Sequence, residues 1–293
     1  MKYFAAFDIG GTKTAFGIYD ESYREQFYGK IDTLPGRGAE DLVQRLFREC
    51  GQQFRRFGVE RAGLACAGPV DEKRGVVNNT TTLHWQDVPI CVLMENAFGA
   101  RFMLMNDCDA AACGEYAKSN VNDLVYISVS TGIGSGLILR GQLYTGSGKA
   151  GELGHICAGT EGRLCGCGRK DCLELYASGT AIENTYESRT ENRLSCKEIS
   201  ALAEQGDETA VSVFKSAAQY IFQTSQMLQT LLDPCEIVVG GGVAESVVFR
   251  RFLKESTDQY HIRLRFSTLQ GKQALYGVVY ALRGNQCQEE VLL

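Results

Sequence analysis

Apolar residues come in short bursts along this chain, and several bursts run straight into glycine. YFAAFD at 3–8 is apolar and ends in a carboxylate, Gly10 and Gly11 follow, and TAFGIYD at 14–20 resumes a β-rich pattern. That order predicts a strand, a glycine turn and a second strand, with backbone N–H groups bared at the tip of the hairpin. From 39 to 56 the period changes: Leu42, Val43, Leu46, Phe47 and Phe54 recur at helical spacing among charges. RAGLACAGPVD at 61–71 reads as a buried strand entering a Gly-Pro turn.

A second round begins near residue 101. FMLMND at 102–107 is an apolar strand ending in polar residues, and DAAACGEYAKS at 109–119 is rich in helix formers. LVYISVSTGIGSGLIL at 124–139 repeats the opening theme of strand, glycine turn, strand. Residues 174–232 read as mostly helical, broken near Arg193 and at Gly206. EIVVGGGV at 236–243 is a third strand running into glycines, and KQALYGVVYALRG closes the pattern as an apolar-striped helix. Two halves that each open on strand, turn and strand suggest duplicated α/β units with a cleft between them. The boundary falls in 107–120: residues 1–115 form an N-terminal domain completed by the helix at 273–284, and 116–272 form a larger C-terminal domain. Ligands of such sheets bind beyond the carboxyl ends of the strands, where these glycine turns fall.

Composition narrows the class without naming a function. In 293 residues, 44% hydrophobic and 22% charged residues suit a soluble globular chain with a well-buried core. A net charge of -5 argues against nucleic acid as a main partner. No apolar run approaches the roughly 18 residues of a membrane span, and MKYFAAFDIGG lacks a signal-peptide pattern. The twelve cysteines are therefore read as reduced thiols and metal ligands of a cytoplasmic protein rather than a disulfide framework.

Four of the candidate metal ligands cluster. Cys165, Cys167 and Cys172 form a C-x-C-x4-C run ten residues after His155, the donor set of a closed tetrahedral structural zinc site. Glycines at 166 and 168 let that run fold tightly enough for its thiolates to share one ion. The three glycine turns call for a phosphate-rich ligand. Gly10, Gly11 and Thr12 can form an anion-binding concavity, with Lys13 adding charge if it points inward. Thr131 and Gly132 could wrap the same phosphates, and Gly240, Gly241 and Gly242 would let a base and ribose lie close to the backbone. None of these turns is a Walker loop or a dinucleotide fingerprint.

Asp107 is the candidate general base, a carboxylate at a strand end just ahead of a helix; the competing reading is that it caps the helix. Asp8 occupies the same kind of position, with Mg2+ or a γ-phosphate as its partner. Glu152, His155 and Glu174 flank the zinc run and would suit the hydroxyls of a polyol. A zinc-bound His also keeps a second ring nitrogen for an outward partner.

DIGGTKTAFG, AGPVD, NDCDAAACGE, STGIGSGL, GELGH, CGCGRKDCLE and IVVGGGV occur here in the order seen in the ROK family of repressors, open reading frames and sugar kinases, which the chain resembles from residue 4 to about 284. The resemblance implies an actin-like, ribonuclease-H-like fold of two α/β domains, and an ATP- and Mg2+-dependent hexokinase with structural zinc, working as a homodimer on a small sugar. It implies that Asp107 takes the proton from the 6-hydroxyl, that Gly68, Asn79, Asn106, Glu152, His155 and Glu174 hold the sugar, and that His155, Cys165, Cys167 and Cys172 hold zinc. Asp8, Gly10 to Lys13, Thr131, Gly132 and Gly240 to Gly242 fall on the nucleotide turns.

Two departures lie on the sugar side. NNTTTLHW at 78–85 replaces the usual P-N-L-x-x-W, leaving Asn78 or Asn79 as the sugar's asparagine, and A-C-A-G-P at 65–69 replaces G-x-P-G. Glucose is the first expected substrate, with N-acetylmannosamine, another amino sugar or a β-glucoside as alternatives. A sugar-sensing repressor would carry a helix-turn-helix ahead of the first glycine turn, which here begins at residue 8. A non-catalytic sensor would keep the sugar residues and lose the base or the phosphate turns.

Overall fold

The computed structural model describes residues 2–80 and 82–284, divided between two compact units. The first runs to Asn120 and takes the chain back at Lys272; the second spans Val121–Gly271.

In the first unit β1 (Tyr3–Ile9), β2 (Lys13–Asp20) and β3 (Glu25–Asp32) form an antiparallel meander. Helix α1 (Gly38–Arg56) leads to β4 (Arg61–Cys66), the small ribbon β5 (Val70–Asp71) and β6 (Val76–Val77), α2 (Ile90–Phe98), β7 (Arg101–Asn106) and α3 (Asp107–Tyr116). The main sheet has the order β3-β2-β1-β4-β7, with β4 parallel to both β1 and β7. One face of β1 buries Ala5, Phe7 and Ile9 against the stripe Leu42, Val43, Leu46 and Phe54 of α1. With Cys50 between Leu46 and Phe54, that stripe recurs every three to four residues, and Glu40 and Asp41 at the start and Arg55 and Arg56 at the end suit the helix dipole.

The second unit repeats the plan. Strands β8 (Leu124–Val129), β9 (Ile133–Leu139) and β10 (Gln142–Leu143) form its meander. A long loop then precedes α4 (Glu174–Ala177), α5 (Gly179–Thr190), α6 (Cys196–Glu204) and α7 (Glu208–Leu232). Next come β11 (Glu236–Gly240), α8 (Val247–Gln259) and β12 (Leu264–Phe266), and the sheet order is β10-β9-β8-β11-β12. Both β8 and β12 run parallel to β11, so the pattern of two antiparallel and two parallel pairings matches the first sheet. Val125, Ile127, Ile237 and Val239 pack with Phe214 and Ile221 of α7 and Phe249 and Leu253 of α8.

Helix α9 (Gln273–Leu282) returns the chain to the first unit and packs on α3. Glycine permits that close crossing. A Cβ on Gly277 would lie 1.7 Å from the Ala110 carbonyl oxygen, and one on Gly114 would lie 2.0 Å from that of Gln273. Any side chain at either position would force the two helices apart.

Candidate active site

In the first unit the three parallel strands end in one row. Ile9, Cys66 and Asn106 are lateral partners across β1, β4 and β7, so the residues just beyond them share one edge of the sheet. Asn106, and not Asp107, caps α3: its Oδ1 accepts from the N–H groups of Cys108 at 2.8 Å and Asp109 at 3.2 Å. Its Nδ2 donates to the Gly68 carbonyl at 3.2 Å, which ties the A-C-A-G-P loop to the helix start. Asp107 is thereby moved to the first helical position, half-buried at the end of the row.

Asp8 lies one residue before the end of β1. Its carboxyl is pushed up to about 7, first by burial and then by the negative charge of Asp107, with Lys30 pulling the other way. Burial and the same two carboxylates drive the Cys66 thiol well above its usual range. Asp8, Asp107 and Cys66 thus form one electrostatic cluster. Lys30 reaches it along the sheet: Asp8 pairs with Ala15 and Ala15 with Lys30, so all three share a face with only a methyl between the charges. Lys13 is turned elsewhere. It ion-pairs with Asp32, its register partner on β3, so the charge expected at the turn is already matched.

Around the first turn, Thr12 is exposed and its carbonyl accepts from the Thr33 N–H at 2.9 Å. Gly10 accepts the Thr33 hydroxyl at 2.6 Å. A Cβ on Gly11 would stand 2.2 Å from the Thr82 methyl, so Thr82 of the altered loop rests against the first glycine turn. Thr80 closes that loop, donating its N–H to Trp85 and accepting from the Leu83 N–H at 2.8 Å. Asn79 is exposed, whereas Asn78 is half-buried and donates its backbone N–H to Pro69. Gly68 has φ +100, and a Cβ there would lie 3.0 Å from Thr80 Cβ, a place suited to glycine.

In the second unit the ligand atoms of His155, Cys165, Cys167 and Cys172 all lie within 4.8 Å of one another. Cys165 Sγ is 3.7 Å from His155 Nδ1, and the sulfurs of Cys167 and Cys172 are 3.6 Å apart. A tetrahedral zinc with bonds near 2.3 Å sets its ligand atoms about 3.8 Å from each other, so these four donors fit that ion. Neighbouring groups already favour thiolate at Cys167, whose pKa is lowered first by the backbone N–H of Arg169 and then by its side chain. With Nδ1 toward the thiols, His155 keeps Nε2 for an outward partner.

Asp171, which sequence reasoning passed over, holds this loop together. Its carboxylate accepts from the N–H groups of Gly162 at 3.0 Å and Arg163 at 2.9 Å and from the Tyr176 hydroxyl at 2.5 Å. The Tyr176 hydroxyl leads the groups that hold the Asp171 pKa below the ordinary carboxylate value. A carboxylate directly before Cys172 was the one available signal, and its partners lie up to nine residues away.

Thr131 is exposed at the second turn, and its carbonyl is held by the N–H and hydroxyl of Thr180 at 3.3 and 2.9 Å. Glu152 is exposed ahead of His155. Glu174 opens α4 and reaches the second turn, where its Oε2 accepts from the Ile133 N–H at 3.2 Å. The glycines after β11 differ in purpose. A Cβ on Gly240 would meet the Tyr126 hydroxyl at 2.5 Å, and one on Gly241 (φ +91) the Val129 carbonyl at 2.4 Å. Gly242 has open space before it, so internal packing accounts for the first two and leaves the third as the open surface.

Paired α/β units of this topology, each with a glycine turn between its first two strands, make up the actin-like, ribonuclease-H-like fold. The ROK family model matches residues 4–281, and the chain belongs to the ROK family. It is similar to an N-acetylmannosamine kinase of Citrobacter koseri, 30% identical over 292 residues, covering 96% of this chain and 99% of the relative. A glucokinase of Streptomyces coelicolor is 32% identical over 262 residues, covering 81% of each chain. Among solved structures, a ROK family glucokinase from Streptomyces griseus in complex with glucose and AMPPNP superposes with a TM-score of 0.85. It is 31% identical and covers 96% of this chain and 99% of its own.

Proposed function

We propose that this protein is a sugar kinase that transfers the γ-phosphoryl of ATP to the 6-hydroxyl of a hexose, with glucose or N-acetylmannosamine as the first candidates. The observation that carries the reading is the division of labour at the start of α3. Asn106 caps the helix, and the Asp107 carboxylate, which bears electrostatically on Asp8 just before the first glycine turn, is our candidate base. Similarity to kinases of both sugars supports the class, and at about 30% identity it does not choose between the substrates.

In this reading Asp107 accepts the proton of the attacking hydroxyl, and Asn106 fixes the angle at which it does so. Gly10, Gly11 and Thr12 offer N–H groups and a hydroxyl to the phosphates, and Thr131, Gly132 and Gly242 offer a surface without bulk to the rest of the nucleotide. Mg2+ carried with ATP would neutralise phosphate charge and relieve the repulsion between Asp8 and Asp107. Gly68 and Asn79 on the first unit, and Glu152, His155 and Glu174 on the second, are the hydroxyl-binding candidates. Zinc held by His155, Cys165, Cys167 and Cys172 would fix the loop that carries the last three and has no open position for chemistry.

The test is ATP consumption, followed by ADP release, on protein whose zinc content has been measured. The panel is glucose, N-acetylmannosamine, N-acetylglucosamine, mannose, fructose, allose and cellobiose. One sugar turned over far faster than the rest is the expected result. Silence across the panel from folded, zinc-loaded protein would overturn the kinase reading.

A further inference from the structure

Glu174 is placed by its neighbours to do more than meet a sugar hydroxyl. It stands two residues beyond Cys172, at the first position of α4. Its Oε2 accepts the Ile133 N–H, the first backbone donor of β9 after the second glycine turn. A Cβ built on Gly132 would lie 2.5 Å from that same oxygen and 3.5 Å from Glu174 Cδ, with no other atom within 4 Å. Gly132 does not have a positive φ, so an alanine there would meet no backbone strain. Within the protein, the bar to a side chain at 132 thus comes from the Glu174 carboxylate.

The rest of the turn is held from two further sides. Gly179 and Thr180, at the start of α5, donate their N–H groups to the Ser130 and Thr131 carbonyls at 2.6 and 3.3 Å. From the G-E-L-G-H loop, Gly154 presses on the Ile133 carbonyl, where a Cβ would be only 2.1 Å away. Residues adjoining both ends of the metal-ligand set therefore bear directly on Ile133. Of these contacts, the one from Glu174 is made by a carboxylate side chain, and hydrogen bonds to charged groups are the stronger kind.

We propose that Glu174 is a positioning residue for the nucleotide: its carboxylate holds the turn from Ser130 to Ile133 in the shape that receives ATP. One carboxyl oxygen is spent on Ile133, and the other stays available to a sugar hydroxyl. The proposal rests on the kinase reading above, in which this turn binds the nucleotide.

The decisive experiment is calorimetric binding of Mg-AMPPNP, in the absence of any sugar, to the wild type, Glu174→Ala, Glu174→Gln, Gly132→Ala and the double variant Glu174→Ala/Gly132→Ala. Glu174→Ala should weaken binding about tenfold. Glu174→Gln, whose amide oxygen can still accept from Ile133, should stay within about threefold of the wild type. Gly132→Ala should weaken binding in the presence of Glu174 and add little once Glu174 is gone.

A Glu174 that only contacts sugar would leave Glu174→Ala and Glu174→Gln at the wild-type affinity, and that result overturns the proposal. Additive losses in the double variant overturn it as well. The same cycle read by thermal unfolding needs no ligand, so the contact with Gly132 is tested even if a variant binds nothing. Failure of the wild type itself to bind Mg-AMPPNP would remove the kinase reading, an outcome distinct from equal binding by wild type and Glu174→Ala.

Discussion

The two units set the same five-stranded plan to different chemistry. Each has a meander, a glycine turn after its first strand and two parallel strands beyond. In the first unit the next-to-last residue of the opening strand is Asp8, paired with Ala15; in the second it is Ser128, paired with Gly134. The first unit's parallel strands end at Cys66 and Asn106, with Asp107 following, so like charges and a thiol gather at that edge. The second unit's β11 ends at Gly240 and runs into more glycine, while a metal-ligand loop and four helices intervene between β10 and β11. One scaffold thus gathers Asp8, Asp107 and Cys66 at its strand ends, and its repeat carries bare backbone beside a loop whose four donors are close enough to share an ion. Proton transfer needs a group whose charge state can change, whereas holding a polyphosphate or a base needs fixed dipoles and room.

The largest break in this comparison should come from Asp107→Asn. The asparagine keeps the size of the side chain and the cap supplied by Asn106, and it removes the carboxylate proposed as the base. Turnover should fall by about 10²–10⁴-fold while sugar affinity, measured by equilibrium binding, stays near that of the wild type. Near-normal turnover would show that the carboxylate cluster of the first unit does not carry the proton.

A smaller effect sharpens the same contrast through pH. Folding raises the Asp8 pKa from 3.8 to about 7, so the native state binds a proton that the unfolded chain has already released. The wild type is therefore penalised as pH rises from about 4 through 7, and the penalty is complete above the folded pKa. Its ceiling is about 4 kcal/mol, and about 2 is a fairer figure for a half-buried carboxyl partly screened by solvent. Asp8→Asn, which cannot ionise, should match the wild type in denaturant stability near pH 4 and exceed it increasingly up to pH 8. Ser128→Ala, at the corresponding place in the second unit, should show no such divergence. Parallel pH profiles for Asp8→Asn and wild type would mean that the carboxyl is not desolvated as its surroundings imply.

Much of this plan was legible in the sequence because its signals are local. Strands that run into glycine announced β1, β8 and β11, and the C-x-C-x4-C run with His155 gathered its four donors as the spacing predicts. Other elements gave no such signal. Strand β3 reads EQFYGKID; Phe27, Gly29 and Ile31 alternate as its half-buried positions, but a glycine in the middle and Tyr28 on the other face blur the apolar pattern. Helix α2 reads ICVLMENAF, too evenly apolar to show a helical stripe. Which residue of the Asn106-Asp107 pair caps α3 depends on backbone geometry at one position. The meeting of Glu174 with Ile133 joins residues 41 apart, which no pattern in a window can anticipate.

Lys13 is the place where a local signal meets a competing partner in the fold. A lysine beside a glycine turn invites a phosphate-binding role, yet register places it opposite Asp32, and the two side chains pair at the exposed edge of the meander. The cation that acts on Asp8 is Lys30, two strands away on the same face with Ala15 between. Exposed pairs contribute little, because water and salt screen them and two long side chains must be held in one geometry. Lys13→Ala should accordingly change turnover and KM for ATP by less than about fivefold, the most a screened surface pair supplies. A loss of ATP affinity beyond that limit, with Lys30 intact, would mean that Lys13 leaves Asp32 when nucleotide arrives and that the first turn recruits a charge as well as backbone dipoles.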